Sequence, residues 1–121
     1  MGDLCKVLIV EDDADTREAL AAVLESHGFR VAEAENGLAA LAHLRSADCT
    51  CLIVLDLFMP QMNGWTFRQE QVKDPAIASI PVVVVSADPA AARRAQSLGV
   101  VAAMTKPLDF SRFVDVISQH C

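Results

Sequence analysis

The chain lacks any apolar stretch long enough to cross a bilayer. Its longest charge-free run, residues 75–87, is broken by Pro81 and falls well short of the roughly 20 apolar residues a spanning helix requires. A secretory leader is missing too, because Asp3, Lys6 and the Glu11, Asp12, Asp13 run leave no apolar h-region, and Lys6 spoils the myristoylation pattern after Gly2. These absences predict a cytoplasmic chain without membrane contact. Basic residues are few: ten Lys and Arg stand against sixteen Asp and Glu, for a net charge of −6. The only adjacent basic pair is Arg93 and Arg94, so no electrostatic footprint for nucleic acid is present. Cys5, Cys49, Cys51 and Cys121 form no CxxC pair, and His27, His43 and His120 do not join them at zinc-ligand spacings. Cys49 and Cys51 therefore read as the start of a strand, without a redox or metal role. Of the five glycines none lies in the first loop, where a nucleotide- or flavin-binding module needs them to let phosphates approach the backbone.

What is present is a chain of one-domain length, 121 residues, with 53% apolar and 21% charged residues, enough to build a single core over residues 1–121. Five short apolar runs recur, at residues 6–10, 30–34, 51–55, 81–85 and 100–104. They are continuously apolar and do not alternate, as expected of strands covered on both faces. Helical spacings separate them: Leu20, Val23, Leu24; Leu38, Leu41, Leu44; and Phe110, Phe113, Val114, Ile117. Asn36 and Asp109 suit helix N-caps, Asp88 before Pro89 reads as N-cap and first helical position, and Gly28 and Gly99 suit helix exits. The third helix, after Gly64, has only partial periodicity through Trp65, Phe67 and Val72. Strict β-α alternation with short connections implies a parallel five-stranded sheet with right-handed crossovers and helices on both faces, a three-layer α/β sandwich.

In such a sheet ligands bind beyond the carboxyl ends of the strands. There the first run ends in Glu11, Asp12 and Asp13, the third in Asp56, the fourth in Ser86, and the fifth in Lys106 and Pro107. A solvated acidic loop capping the first helix accounts for the Glu11 to Asp15 cluster as well as a binding role does. Asp56 resists that reading, because it closes a buried strand where an unpaired carboxylate carries a desolvation penalty of several kcal/mol. Clustered carboxylates call for a hard divalent cation, and Mg²⁺ fits because it takes few protein carboxylates and keeps waters. With Lys106 and Ser86 around it, Asp56 is a candidate nucleophile for a phosphoryl group.

Taken together, these residues resemble the receiver domain of two-component response regulators over essentially the whole chain. Glu11-Asp12-Asp13 follows VLIV, Asp56 follows LIVL, Met59-Pro60-Gln61-Met62-Asn63-Gly64 is similar to the family's MPxMxG loop, and Ser86-Ala87 and Lys106-Pro107 close the last two strands. The resemblance implies a flavodoxin-like fold with sheet order 2-1-3-4-5 and five helices. It also implies phosphorylation of Asp56, with Asp13 a direct Mg²⁺ ligand, Asp12 a ligand through water, and the Phe58 backbone carbonyl the remaining protein ligand. Ser86 and Lys106 would bind phosphoryl oxygens, and the Lys106-Pro107 bond would be cis. A sensor histidine kinase or histidine phosphotransfer protein is the implied donor, and a further protein the implied target.

Two departures from the family pattern stand out: Ala103 replaces the usual aromatic switch, and the interval from Ser86 to Lys106 is short. Output is then expected from the loop after Ser86 and a face bearing Arg93, Arg94 and Met104. A phosphatase with an aspartyl nucleophile is the competing enzyme reading, but its general acid would fall at Phe58, which cannot donate a proton. A non-phosphorylated scaffold is the other alternative, opposed by the intact polar set.

Overall fold

The computed structural model describes residues 5–46, 49–59 and 61–121; Gly2, Asp3 and Pro60, all used in the sequence reading, lie outside them. The described residues form strands β1 (Lys6–Val10), β2 (Val31–Ala34), β3 (Thr50–Asp56), β4 (Val82–Ser86) and β5 (Ala102–Thr105). Between and after them run helices α1 (Ala14–Ser26), α2 (Gly37–Leu44), α3 (Gly64–Lys73), α4 (Pro89–Ala95) and α5 (Phe110–His120), with a 3₁₀ turn at Gln96–Leu98. All pairings are parallel, in the order β2-β1-β3-β4-β5. This is the expected flavodoxin-like topology.

The unbroken apolar runs are explained by two cores, one on each face of the sheet. Leu8, Val10, Ile53, Leu55, Val82 and Val84 point to the side of α2, α3 and α4. Their neighbours Val7, Ile9, Leu52, Val54, Val83 and Val85 point to α1 and α5. Successive strand residues face opposite ways, so a strand covered twice has no polar position. Helix ends follow the sequence signals: Asn36, Asp88 and Asp109 each accept a backbone N–H of the first turn. Gly28 and Gly99 leave their helices at φ 88° and 73°, a region that suits glycine.

Several expectations are corrected. Leu38, Phe110 and Val72 lie on exposed faces, and burial of α5 rests on Phe113, Val114 and Ile117. Met104 is buried against the α1–α5 core and belongs to no outer face. The weak periodicity of α3 has a physical cause, because its inner face is partly polar. Arg68 donates from Nε to the Leu98 carbonyl at 3.0 Å and from a terminal nitrogen to Gln71 Oε1 at 2.7 Å. Gln71 passes the network on by donating to the carbonyls of Ile77 and Ile80.

The cysteines also depart from expectation. Cys5 is bonded to Cys49 and Cys51 to Cys121. The pairing of Lys6 with Thr50 brings the starts of β1 and β3 together, and α5 ends beside β3. Sequence spacing hides this because the partners are 44 and 70 residues apart. Among the described residues no helix is long and apolar enough to cross a membrane.

Gly64, at the start of α3, presses on the end of β3: a Cβ there would lie 2.7 Å from the Asp56 carbonyl oxygen and 2.8 Å from Leu57 Cα. Both neighbours are backbone and cannot yield cheaply. Gly64→Ala should therefore lower stability in urea unfolding by about 1–3 kcal/mol, the usual cost of overpacking. A loss within error would show that α3 can move away from β3.

Candidate functional site

The carboxyl ends of β1, β3, β4 and β5 bring Glu11, Asp12, Asp56, Ser86 and Lys106 to one edge of the sheet. Glu11 and Asp56 are buried at 2% and 5% exposure, and Ser86 is fully buried. Carboxylate oxygens of Glu11, Asp12 and Asp56 all lie within 4.8 Å of one another. Lys106 reaches this cluster from the far side of β4, placing Nζ 2.6 Å from Glu11 Oε1 and 3.9 Å from Asp56 Oδ1. Its backbone N–H donates to the Ser86 carbonyl at 2.8 Å, which fixes the root of the side chain.

Asp13 is placed elsewhere. It is the N-cap of α1, where its carboxylate accepts from the Thr16 backbone N–H at 2.9 Å and from the Thr16 hydroxyl. The acidic loop thus divides: Asp13 caps the helix, while Glu11 and Asp12 lie with Asp56 in the cluster. Asp13, expected as the direct ligand, thus lies outside the cluster of Glu11, Asp12 and Asp56. The signal that points to this is the Asp13–Thr16 spacing, which is that of a helix cap. Glu11 is held in place by two further contacts: the Asp13 backbone N–H donates to its Oε2 at 3.2 Å, and Arg17 donates to its carbonyl at 2.9 Å. Arg17 is itself fixed by Glu33 of β2 at 3.0 Å.

Phe58 is exposed, and its backbone N–H donates to Asp56 Oδ1 at 3.4 Å. The Ser86 hydroxyl accepts the Asp88 backbone N–H at 3.1 Å, and the Asp88 carboxylate is taken up by the N–H of Ala90. Ala103 is partly buried against the α2–α4 core, and the Lys106-Pro107 peptide is cis as the resemblance implied. Beside Lys106, a largely apolar cleft of about 460 Å³ opens between α1 and the loop into α5, lined by Thr16, Leu20, Pro107 and Phe110 among others.

Burial pushes the Asp56 carboxyl up to about 7, assisted by the charge of Glu11 and a hydrogen bond shared with it, against the pull of Lys106. Burial acts on Glu11 in the same sense, but hydrogen bonds from Lys106 and Asp56 and the lysine charge outweigh it and hold Glu11 below its ordinary value. Near neutrality Glu11 is thus ionised against Lys106, and Asp56 is poised between its two forms. The donor set of three oxygen-bearing acids, one exposed and two buried with a single ammonium between them, fits a small hard cation.

Residues 7–118 match the response regulator receiver domain family. The chain is 35% identical over 85 residues to protein PilH of Pseudomonas aeruginosa, covering 69% of this chain and 68% of that protein. It is 37% identical over 82 residues to the two-component response regulator ORR12 of Oryza sativa subsp. japonica, covering 68% of each. Among solved structures, a response regulator receiver protein from Pseudomonas putida superposes with a TM-score of 0.87 at 28% identity, covering 95% of this chain and 96% of that one. The response regulator protein TrrA from Thermotoga maritima, in complex with Mg(2+)-BeF, shares the fold with a TM-score of 0.86 at 23% identity, covering 97% and 99%.

A pH dependence follows from the buried pair. The folded-state value of Asp56, about 7, lies above its unfolded value, so the folded form binds the extra proton and stability is lost as pH rises from about 4 through 7. Asp56→Asn needs no proton and should exceed the wild type in metal-free stability above neutrality by a few kcal/mol, at most about 4 from the usual 1.36 kcal/mol per unit. The gap should close towards pH 4. Urea unfolding of both proteins across that range measures it, and a pH-independent difference would contradict the poised proton.

Proposed function

This chain belongs to the response regulator receiver domain family, and on that premise we propose that residues 1–121 form the phosphoacceptor module of a two-component phosphorelay, phosphorylated on Asp56 in a Mg²⁺-dependent reaction. The observation that carries this reading is the buried Asp56 carboxylate at the end of β3, beside Glu11 and within ion-pair reach of Lys106. The donor is a sensor histidine kinase or a histidine phosphotransfer protein. An ionised Asp56 oxygen attacks the phosphorus of the phosphohistidine, the P–N bond breaks, and the imidazole leaves with the bonding pair. Lys106 turns from Glu11 to donate to a phosphoryl oxygen, and the Ser86 hydroxyl donates to another. The apolar cleft beside Lys106 offers the donor protein a surface next to the acceptor.

Mg²⁺ would be held by Asp12 and Asp56 with Glu11 as the supporting acid and, by the family resemblance, the Phe58 carbonyl. When bound, it supplies the positive charge that the single ammonium leaves wanting as phosphoryl oxygens join the acids. The Mg(2+)-BeF complex of TrrA agrees with this reading. The module is a signalling domain and no enzyme in its own right beyond forming and losing its own acyl phosphate. An aspartyl-nucleophile phosphatase is disfavoured by Phe58, which offers no proton where the general acid would stand. The chain works in the cytoplasm and passes its state to another protein, with no nucleic acid or membrane partner.

Thermal melts test the metal site. Mg²⁺ at about 100 times its Kd should add roughly 2.7 kcal/mol. The shift should vanish in Asp12→Asn and persist in Asp13→Ala, which lowers the melting temperature only through its lost cap. A shift lost in both would return Asp13 to the site. Intact mass after incubation with Mg²⁺ and a small phosphodonor should show one phosphoryl adduct, absent in Asp56→Asn; an adduct that survives there removes Asp56 as acceptor.

With Ala103 in place of an aromatic ring, the two states differ mainly through the Ser86 and Lys106 contacts, because a ligand shifts an equilibrium only by its differential affinity. Hydrogen exchange with and without a beryllofluoride mimic should change in residues 87–98. Changes confined to α1 or α2 would place the output on another surface.

A further inference from the structure

At the opposite end of β3 from Asp56, about 17 Å away by strand rise, lies a second reactive group that the phosphorelay does not use. We propose that Cys51 and Cys121 form a thiol–disulfide exchange site for low-molecular-weight disulfides of the glutathione type, clipping the last turn of α5 to the start of β3. The inference goes beyond the phosphoryl-transfer reading and does not depend on it.

The two Cα atoms are 5.3 Å apart, inside the span a disulfide bridges without backbone movement. Their exposures are unequal: Cys121 is open to solvent and Cys51 is half-buried. Cys121 is therefore the thiol a small disulfide can reach, and Cys51 the one that resolves. The reduced state has a place as well, because Cys51 Sγ lies 3.5 Å from the Lys6 carbonyl, an acceptor for its S–H. The bridge is also dispensable to the fold. The apolar hold on α5 ends at Ile117, and residues 118–120 are exposed. Beyond that point the helix is kept by backbone bonds such as Cys121 N–H to the Ile117 carbonyl, and by the sulfur bridge. Opening the bridge thus releases one turn and leaves both cores whole. A domain with two complete cores has no need of a staple, unlike the small secreted folds that depend on disulfides.

In the oxidising direction the Cys121 thiolate attacks one sulfur of the small disulfide, expelling a thiolate and forming a mixed disulfide. The Cys51 thiolate then attacks the Cys121 sulfur and expels the second. The two protein thiols lose two protons and two electrons, and the small disulfide takes up both as two thiols.

The test uses the full chain carrying Cys5→Ser and Cys49→Ser, so that the neighbouring pair is silent; the unsubstituted chain, with bridges mapped by peptide mass, serves if that variant does not fold. Native protein is equilibrated across ratios of oxidised to reduced glutathione, alkylated and weighed. The expected result is reversible interconversion of a bridged and a dithiol form while the protein stays folded, with amide exchange at residues 118–121 rising roughly tenfold on reduction. A bridge that opens only on unfolding would make it a structural staple, and a dithiol that stops at mixed disulfides would remove Cys51 as resolving thiol; either overturns the proposal. Phosphoryl uptake on Asp56 should be equal in both forms, and its absence from both would count against the phosphorelay reading alone.

Discussion

Two carboxyl groups buried side by side need a positive partner, and among the described residues the ammonium of Lys106 supplies it. Glu11 comes from the end of β1, Asp56 from the end of β3, and the lysine reaches them past the end of β4. Removing the lysine would leave buried charge without compensation, a loss that generally costs several kcal/mol. One ammonium cannot neutralise two acids, however. Burial, with the charge of Glu11 beside it, raises Asp56 and leaves the site receptive to a proton, a cation, or a phosphoryl group accompanied by a cation. Receptivity here is a consequence of counting charges, and β1, β3, β4 and β5 contribute by delivering their groups to the same edge.

Much of this was legible in the residues. Unbroken apolar runs announced strands buried twice, and polar residues at their ends announced the site, because nothing in a covered strand explains Asp56, Ser86 or Lys106 otherwise. The choice among three consecutive acids was less visible. Glu11, Asp12 and Asp13 have similar chemistry, and only the point at which the helix begins decides which face the cluster; Thr16 sets that point through Asp13. The inner face of α3 was hidden for a different reason. Arg68 and Gln71 read as surface residues until two turns present their carbonyls to them. The cysteine pairs depend on strand register and on where α5 ends, neither of which local spacing carries.

Arg17 shows how the site is braced from outside. A single guanidinium joins the Glu11 carbonyl to Glu33 of β2, so the loop that carries the acids is tied to the sheet edge as well as to its own helix. The cap at Asp13 holds the same loop from the other side. Between these two restraints the acids have little freedom to separate, which keeps their repulsion available.

The Arg68 contacts give α4 an uneven suspension. Its far end runs into the 3₁₀ turn, whose Leu98 and Gly99 carbonyls are gripped by a buried guanidinium, while its near end rests on Asp88, whose backbone N–H hangs from the Ser86 hydroxyl. The two ends of α4 are thus tied to different neighbours, the far one to a side chain of α3 and the near one to the end of β4, while Ala91 and Ala95 between them are buried in the core.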